Sequence, residues 1–130
     1  MKVKLNKKGQ AGLTLIEVTL VIAVLLGLIS VLFIGVAAYK KGSDRAKCIL
    51  NISTVQKAIR SYANMYEKNI GVAVANSDYM GPGLFIETTP VCPQAGTYTF
   101  GTAIPASGVA MLDCGLAGTD LHVPSSLAGW

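Results

Sequence analysis

The sequence predicts an α+β fold, one long N-terminal helix packed against a small C-terminal antiparallel β head, and three observations predict it. Residues 13–39 form an apolar run whose only charge is Glu17. Residues 40–68 carry apolar side chains at helical spacing. Residues 69–130 are rich in Gly, Pro, Ser and Thr and hold two short runs of strand chemistry. A chain of 130 residues accommodates one small domain.

Residues 1–12 bring Lys2, Lys4, Lys7 and Lys8 and no acid. The apolar run follows directly. More than about 18 apolar residues suffice to cross a bilayer as a helix. A secretory signal has a shorter apolar core, followed by a small-residue cleavage site. Here the run is longer, and the glycine suited to a cut, Gly12, precedes it. A carboxylate inside such a run costs about 2.5–3.5 kcal/mol, so Glu17 calls for a partner or a function. Ala23, Gly27 and Gly35 fall on one face at multiples of four, a spacing that lets membrane helices approach closely. General glycine enrichment in membrane helices accounts for them equally simply.

Past Tyr39 the pattern turns amphipathic. Cys48, Ile52, Val55, Ile59, Tyr62 and Tyr66 recur at alternating steps of four and three, a single helical stripe. Gly42 costs about 1 kcal/mol in a helix, and Ser43 or Asp44 offers a fresh cap there. One helix over residues 13–67, with Gly42 as the place for a bend, measures on the order of 80 Å. Asn69 and Gly71 suit its end. Beyond it, residues 71–90 read mostly as loop, with a turn at Gly81-Pro82-Gly83 and a short anchored piece at Leu84-Phe85-Ile86. Strands are expected at residues 97–100 and 109–112, joined by a hairpin connection over residues 104–108. So small a head must pack on the helix stripe to bury enough surface.

The basic leader ending in Gly12, the segment Thr14-Leu15-Ile16-Glu17 and the long apolar helix resemble the N-terminal motif of the type IV pilin and pseudopilin superfamily. The match covers about a quarter to a third of the chain. It implies a pilin-like fold with four parts: leader 1–12, membrane-spanning assembly half 13–39, amphipathic half 40–68 and head 69–130. It implies cleavage between Gly12 and Leu13 by a prepilin peptidase and methylation of the new terminus. Glu17 becomes the fifth residue, and its carboxylate meets the amino terminus of Leu13 in a neighbouring copy. Leu13 stands where the family most often has Phe. Ile34 stands near the point where members commonly carry a proline, and no proline occurs here before Pro82. The stretch from Cys92-Pro93-Gln94-Ala95-Gly96-Thr97-Tyr98 to Asp113-Cys114 also looks like the small head of some bacterial pseudopilins.

The function that this resemblance implies is structural: a subunit of a helical homo-oligomeric filament. A type II secretion-type pseudopilin is favoured over a type IV pilus or competence pilin. Its partners would be the prepilin peptidase, an inner-membrane assembly platform and a cytoplasmic ATPase motor. The chain would sit in a bacterial inner membrane, N-terminus inside and head periplasmic, before entering a periplasmic or surface filament. The alternative of another class is a monomeric, membrane-tethered periplasmic binding module.

Charge narrows this further. The net charge of +4 equals the four leader lysines, so removal of the leader leaves a neutral chain and no case for nucleic-acid binding. Residues 40–68 are mainly basic, whereas residues 69–130 hold acids and no Lys or Arg. That contrast would steer head-to-stem contacts between stacked copies, and simple solvation of unrelated faces accounts for it equally well. Basic residues flank both ends of the span, so the orientation comes from the resemblance and not from the count.

Three cysteines allow three single pairings and a fully reduced state. A periplasmic head would be oxidised, and Cys92 and Cys114 flank the expected hairpin, so a Cys92–Cys114 disulfide is expected. Closing that loop would stabilise the head by roughly 3 kcal/mol. Cys48, on the stripe, reads as a small buried hydrophobe. No Cys-x-x-Cys and no histidine cluster occurs, so neither metal nor cofactor is expected. Asp78, Glu87, Asp113 and Asp120 are oxygen ligands of the kind that hold calcium, but they lack EF-hand spacing. His122, the only histidine, follows Asp120 by two residues without any nucleophile motif. No enzyme is expected.

Overall fold

The computed structural model describes residues 12 and 14–130. The leader up to Ala11, and Leu13 on one side of the expected cut, lie outside the described residues. The dominant element is α1, Leu15–Met65, and the chain divides into two compact units, Met1–Ala38 and Tyr39–Trp130.

In the first unit α1 begins at a local cap. The Thr14 hydroxyl accepts the Glu17 backbone N–H at 3.2 Å, and the Thr14 carbonyl accepts that of Val18 at 3.1 Å. Glu17 therefore sits in the first turn, where the helix dipole favours an acid. Its apolar side chains stand outward: Leu15 is 82% exposed and Ile34 75%. An 18-residue window reaches a mean hydropathy of 3.0 with none of it buried, so the helix is long and apolar enough to cross a membrane. The Thr19 and Ser30 hydroxyls donate back to the Ile16 and Leu26 carbonyls, leaving neither donor unsatisfied in an apolar setting.

In the second unit the helix carries the expected stripe into the core. Cys48, Ile52, Val55 and Ile59 are buried, joined by Ala58, Ala63 and Gln56. Tyr62 is half-buried against Phe85, edge to face with centroids 6.4 Å apart, whereas Tyr66 is exposed. Gly42 does not interrupt the helix. Its end falls two residues before the expected one, and by a different residue. Glu67 (φ 50°) turns left-handed four residues ahead of Gly71 (φ 85°), and the Lys68 N–H donates to the Ala63 carbonyl at 2.8 Å. That is the closing bond of a Schellman-type terminus.

The head supplies the opposing wall: Val74, Tyr79, Met80, Ile104, Met111 and Leu112. Burial pushes the Tyr79 hydroxyl up to about 12. Strands β1 (Tyr98–Phe100) and β2 (Leu112–Cys114) pair antiparallel, with Tyr98 opposite Cys114 and Phe100 opposite Leu112. The second strand starts where the expected one ends. The displacement has a physical cause. The Met111 N–H donates to Gln56 Oε1 at 2.8 Å, and the Val109 carbonyl accepts from Gln56 Nε2 at 3.0 Å. Helix α1 thus satisfies the backbone that a longer strand would have paired.

The connection differs from a simple hairpin for a similar reason. The N–H of Val74 donates to Thr102, that of Ile104 to Val72, and that of Gly71 to Ile104, each at 2.9 Å. An antiparallel bridge between Ala73 and Ala103 sits at their centre. The segment after the helix is therefore sewn to the segment after β1.

Candidate functional site

Of the five residues expected to act, Leu13 lies outside the described residues, Gly12 is exposed and Glu17 stands on the first turn of α1. The other two, Cys92 and Cys114, lie together in the head. Their Sγ atoms are 3.9 Å apart and both thiols are free. A disulfide bond spans about 2.05 Å, so the expected bond is not formed here.

These sulfurs have two further companions. Cys48 from α1 and His122 from the segment after β2 complete a cluster in which the four ligand atoms all lie within 4.8 Å of one another. All four residues are buried, and His122 and Cys48 are 0% exposed. Among the described residues this is the only gathering of three or more metal-ligating side chains. The four acids of the calcium-binding kind, from which no site was expected, do not form such a cluster. Asp78 instead caps a 3-10 turn, accepting the Ala75 N–H at 2.9 Å, while Glu87 and Asp113 are exposed.

Each donor is set by its local backbone. Cys48 belongs to the packing stripe of α1. Cys92 opens the turn Cys92-Pro93-Gln94-Ala95-Gly96, with Ala95 left-handed (φ 59°) and its N–H donating to the Cys92 carbonyl at 3.1 Å. Gly96 leaves room for the sulfurs: a Cβ there would stand 2.9 Å from Cys114 Sγ. Cys114 ends β2 on the inward side of the alternation, with Asp113 facing out. His122 is brought back by a turn in which its N–H reaches the Leu116 carbonyl at 3.4 Å.

The ring of His122 is oriented from outside the cluster. Gln94 Oε1 can only accept, so His122 Nε2 carries the proton and donates to it at 2.8 Å. Nδ1 then presents a lone pair to Cys92 Sγ at 3.4 Å and Cys114 Sγ at 3.9 Å. On the opposite side, the Tyr98 hydroxyl donates to Cys48 Sγ at 3.3 Å and accepts from Asn51 Nδ2 at 3.1 Å. Burial holds the Tyr98 hydroxyl above the ordinary phenol range, so it stays a donor. Burial likewise pushes the Cys48 thiol up to about 12. Cys92 goes the other way. Burial opposes it, but the backbone N–H groups of Gln94 and Gly96 and the neighbouring thiols outweigh that, holding it below the ordinary thiol range.

Sequence reasoning singled out Cys92 and Cys114 but set Cys48 aside as packing and left His122 without a role. The available signal was the Cys-Pro-x-x-Gly turn, which aims backbone N–H groups at one sulfur. Chain spacing hides the rest, because the donors come from four separate segments. Elsewhere an open groove of about 510 Å³ runs past Lys57, Arg60 and Trp130. The Arg60 guanidinium is already engaged with the Ala106 and Trp130 carbonyls at 2.9 and 3.1 Å. No protein-family model, curated protein or solved structure matches this chain.

Proposed function

We propose that the chain is a structural subunit of a pilin-like filament, of the type II secretion pseudopilin kind, and not an enzyme. One coincidence carries the reading: a basic leader ending in Gly12, then Thr14 to Glu17, then an apolar helix exposed along its first half. A prepilin peptidase cuts between Gly12 and Leu13, and the freed amino group becomes the partner of Glu17 in the adjacent subunit. Before cleavage that partner does not exist, so processing releases the precursor and licenses assembly in one step. Assembly transfers the exposed side chains of α1 from lipid to protein, where packing and a polar pair, not water exclusion, hold the helices together. The motor that extrudes the filament is a separate cytoplasmic ATPase.

Intact mass and N-terminal sequencing of the protein from its native membrane test this directly. The expected product starts at methylated Leu13, and Glu17→Ala leaves a membrane protein that no longer enters filaments. Retention of Met1 beside an active peptidase, with Glu17→Ala silent, would instead favour a tethered periplasmic binding module. Long surface fibres would move the assignment to a type IV pilus or competence pilin.

A further inference from the structure

We infer that Cys48, Cys92, Cys114 and His122 bind one zinc ion tetrahedrally, through three thiolates and His122 Nδ1, as a structural centre of the head. The inference is independent of the filament reading, since it uses only residues within Tyr39–Trp130.

Geometry is the first argument. With Zn–S near 2.3 Å and Zn–N near 2.0–2.1 Å, a tetrahedral site has S···S edges of about 3.8 Å and S···N edges of about 3.5 Å. The observed edges are 3.9 Å between Cys92 and Cys114, and 3.4 and 3.9 Å from His122 Nδ1 to those two sulfurs. All remaining separations stay within 4.8 Å. Three of the six edges thus match the tetrahedron within a few tenths of an ångström, and Cys48 lies near enough to supply the fourth corner.

The surrounding shell is the second argument. A metal-bound histidine generally donates its other ring N–H to an acceptor, which fixes tautomer and orientation. Gln94 performs that task for His122 at 2.8 Å. Three thiolates and one zinc ion leave a net charge of −1, which needs donors around the sulfurs. Tyr98 O–H points at Cys48, and the N–H groups of Gln94 and Gly96 face Cys92.

The third argument concerns what a disulfide leaves over. Any single pairing of three cysteines strands one buried thiol and leaves His122 Nδ1 without its own use. One tetrahedral ion uses all four groups. Three sulfurs and one imidazole are a donor set that suits zinc, whereas calcium and magnesium require oxygen. On binding, the three thiols release their protons to solvent and no electron is transferred.

The test uses the full chain in detergent micelles, expressed with zinc, with metal measured by elemental analysis and free thiols by mass. One zinc per chain is expected. Exchange for cobalt(II) should give the intense visible bands of a tetrahedral site and thiolate charge-transfer absorption. His122→Asn should weaken zinc binding at least 100-fold, while His122→Cys keeps one ion and shifts the cobalt spectrum to four thiolates. Gln94→Leu, which removes only the outer acceptor, should weaken binding 10- to 100-fold. Two results overturn the inference. One is a metal-free chain whose unfolding is unchanged by added zinc or by chelator. The other is native protein two protons light, with Cys92 and Cys114 joined. Zinc that binds equally to the His122→Asn and His122→Cys variants also counts against it.

Discussion

Gln56 is a polar side chain only 3% exposed, and its amide is used at both ends. It accepts from the Met111 N–H and donates to the Val109 carbonyl, so it stands in for a missing strand neighbour. Val109 is half exposed and water can replace that bond, whereas Met111 is 1% exposed and its N–H has no other recourse. Gln56→Leu should therefore cost roughly 2 kcal/mol, nearly all of it from the orphaned Met111 N–H. Urea unfolding followed by the fluorescence of Trp130, the only tryptophan, measures the loss. Nothing in the apolar stripe identified this residue, because periodicity registers hydrophobic positions and Gln56 lies at a core position with a polar label. His122 was noticed but left without a role, for a related reason. Its role depends on neighbours as distant in the chain as Cys48, which no local pattern contains.

At the scale of elements, α1 was legible because both of its signals are long. The apolar run and the four-three stripe each persist over many turns, and Gly42 is too small a penalty to outweigh them. Its end was not legible, since Glu67 adopts a conformation that side chains disfavour and glycine accepts. Glu67 is exposed, so Glu67→Gly should stabilise the second unit by about 1 kcal/mol through relief of that strain. Raised thermal stability with unchanged circular dichroism is the expected readout. An Ala substitution at Glu67 should give little gain, which separates backbone relief from loss of charge. Strand β1 was placed within a residue, whereas β2 was displaced by the competition from Gln56. The pairing of residues 72–74 with 102–104 was invisible, because short segments with no alternation carry too little information to announce a partner.

At the scale of the molecule, every buried core residue among the described ones lies between Cys48 and His122, inside the second unit. A fragment of residues 39–130 should therefore fold cooperatively without detergent, with a single unfolding transition and near-ultraviolet circular dichroism from its tyrosines. An uncooperative, spectrally featureless fragment would show that the first unit is needed for the second to form. The head has few strand hydrogen bonds and a modest apolar core, which is the circumstance in which small scaffolds use a covalent or metal staple. The four-donor cluster occupies that position, tying α1 to the turn before β1, to β2 and to the segment beyond it. The same arrangement also imposes an order in time. During synthesis the helix cysteine emerges first, the two head cysteines follow 22 residues apart, and the imidazole arrives eight residues after the last sulfur, about a second later at ordinary elongation rates. For that interval the nascent chain displays a thiol trio without the group that completes it. Whatever guards the thiols against premature pairing must act in that short window.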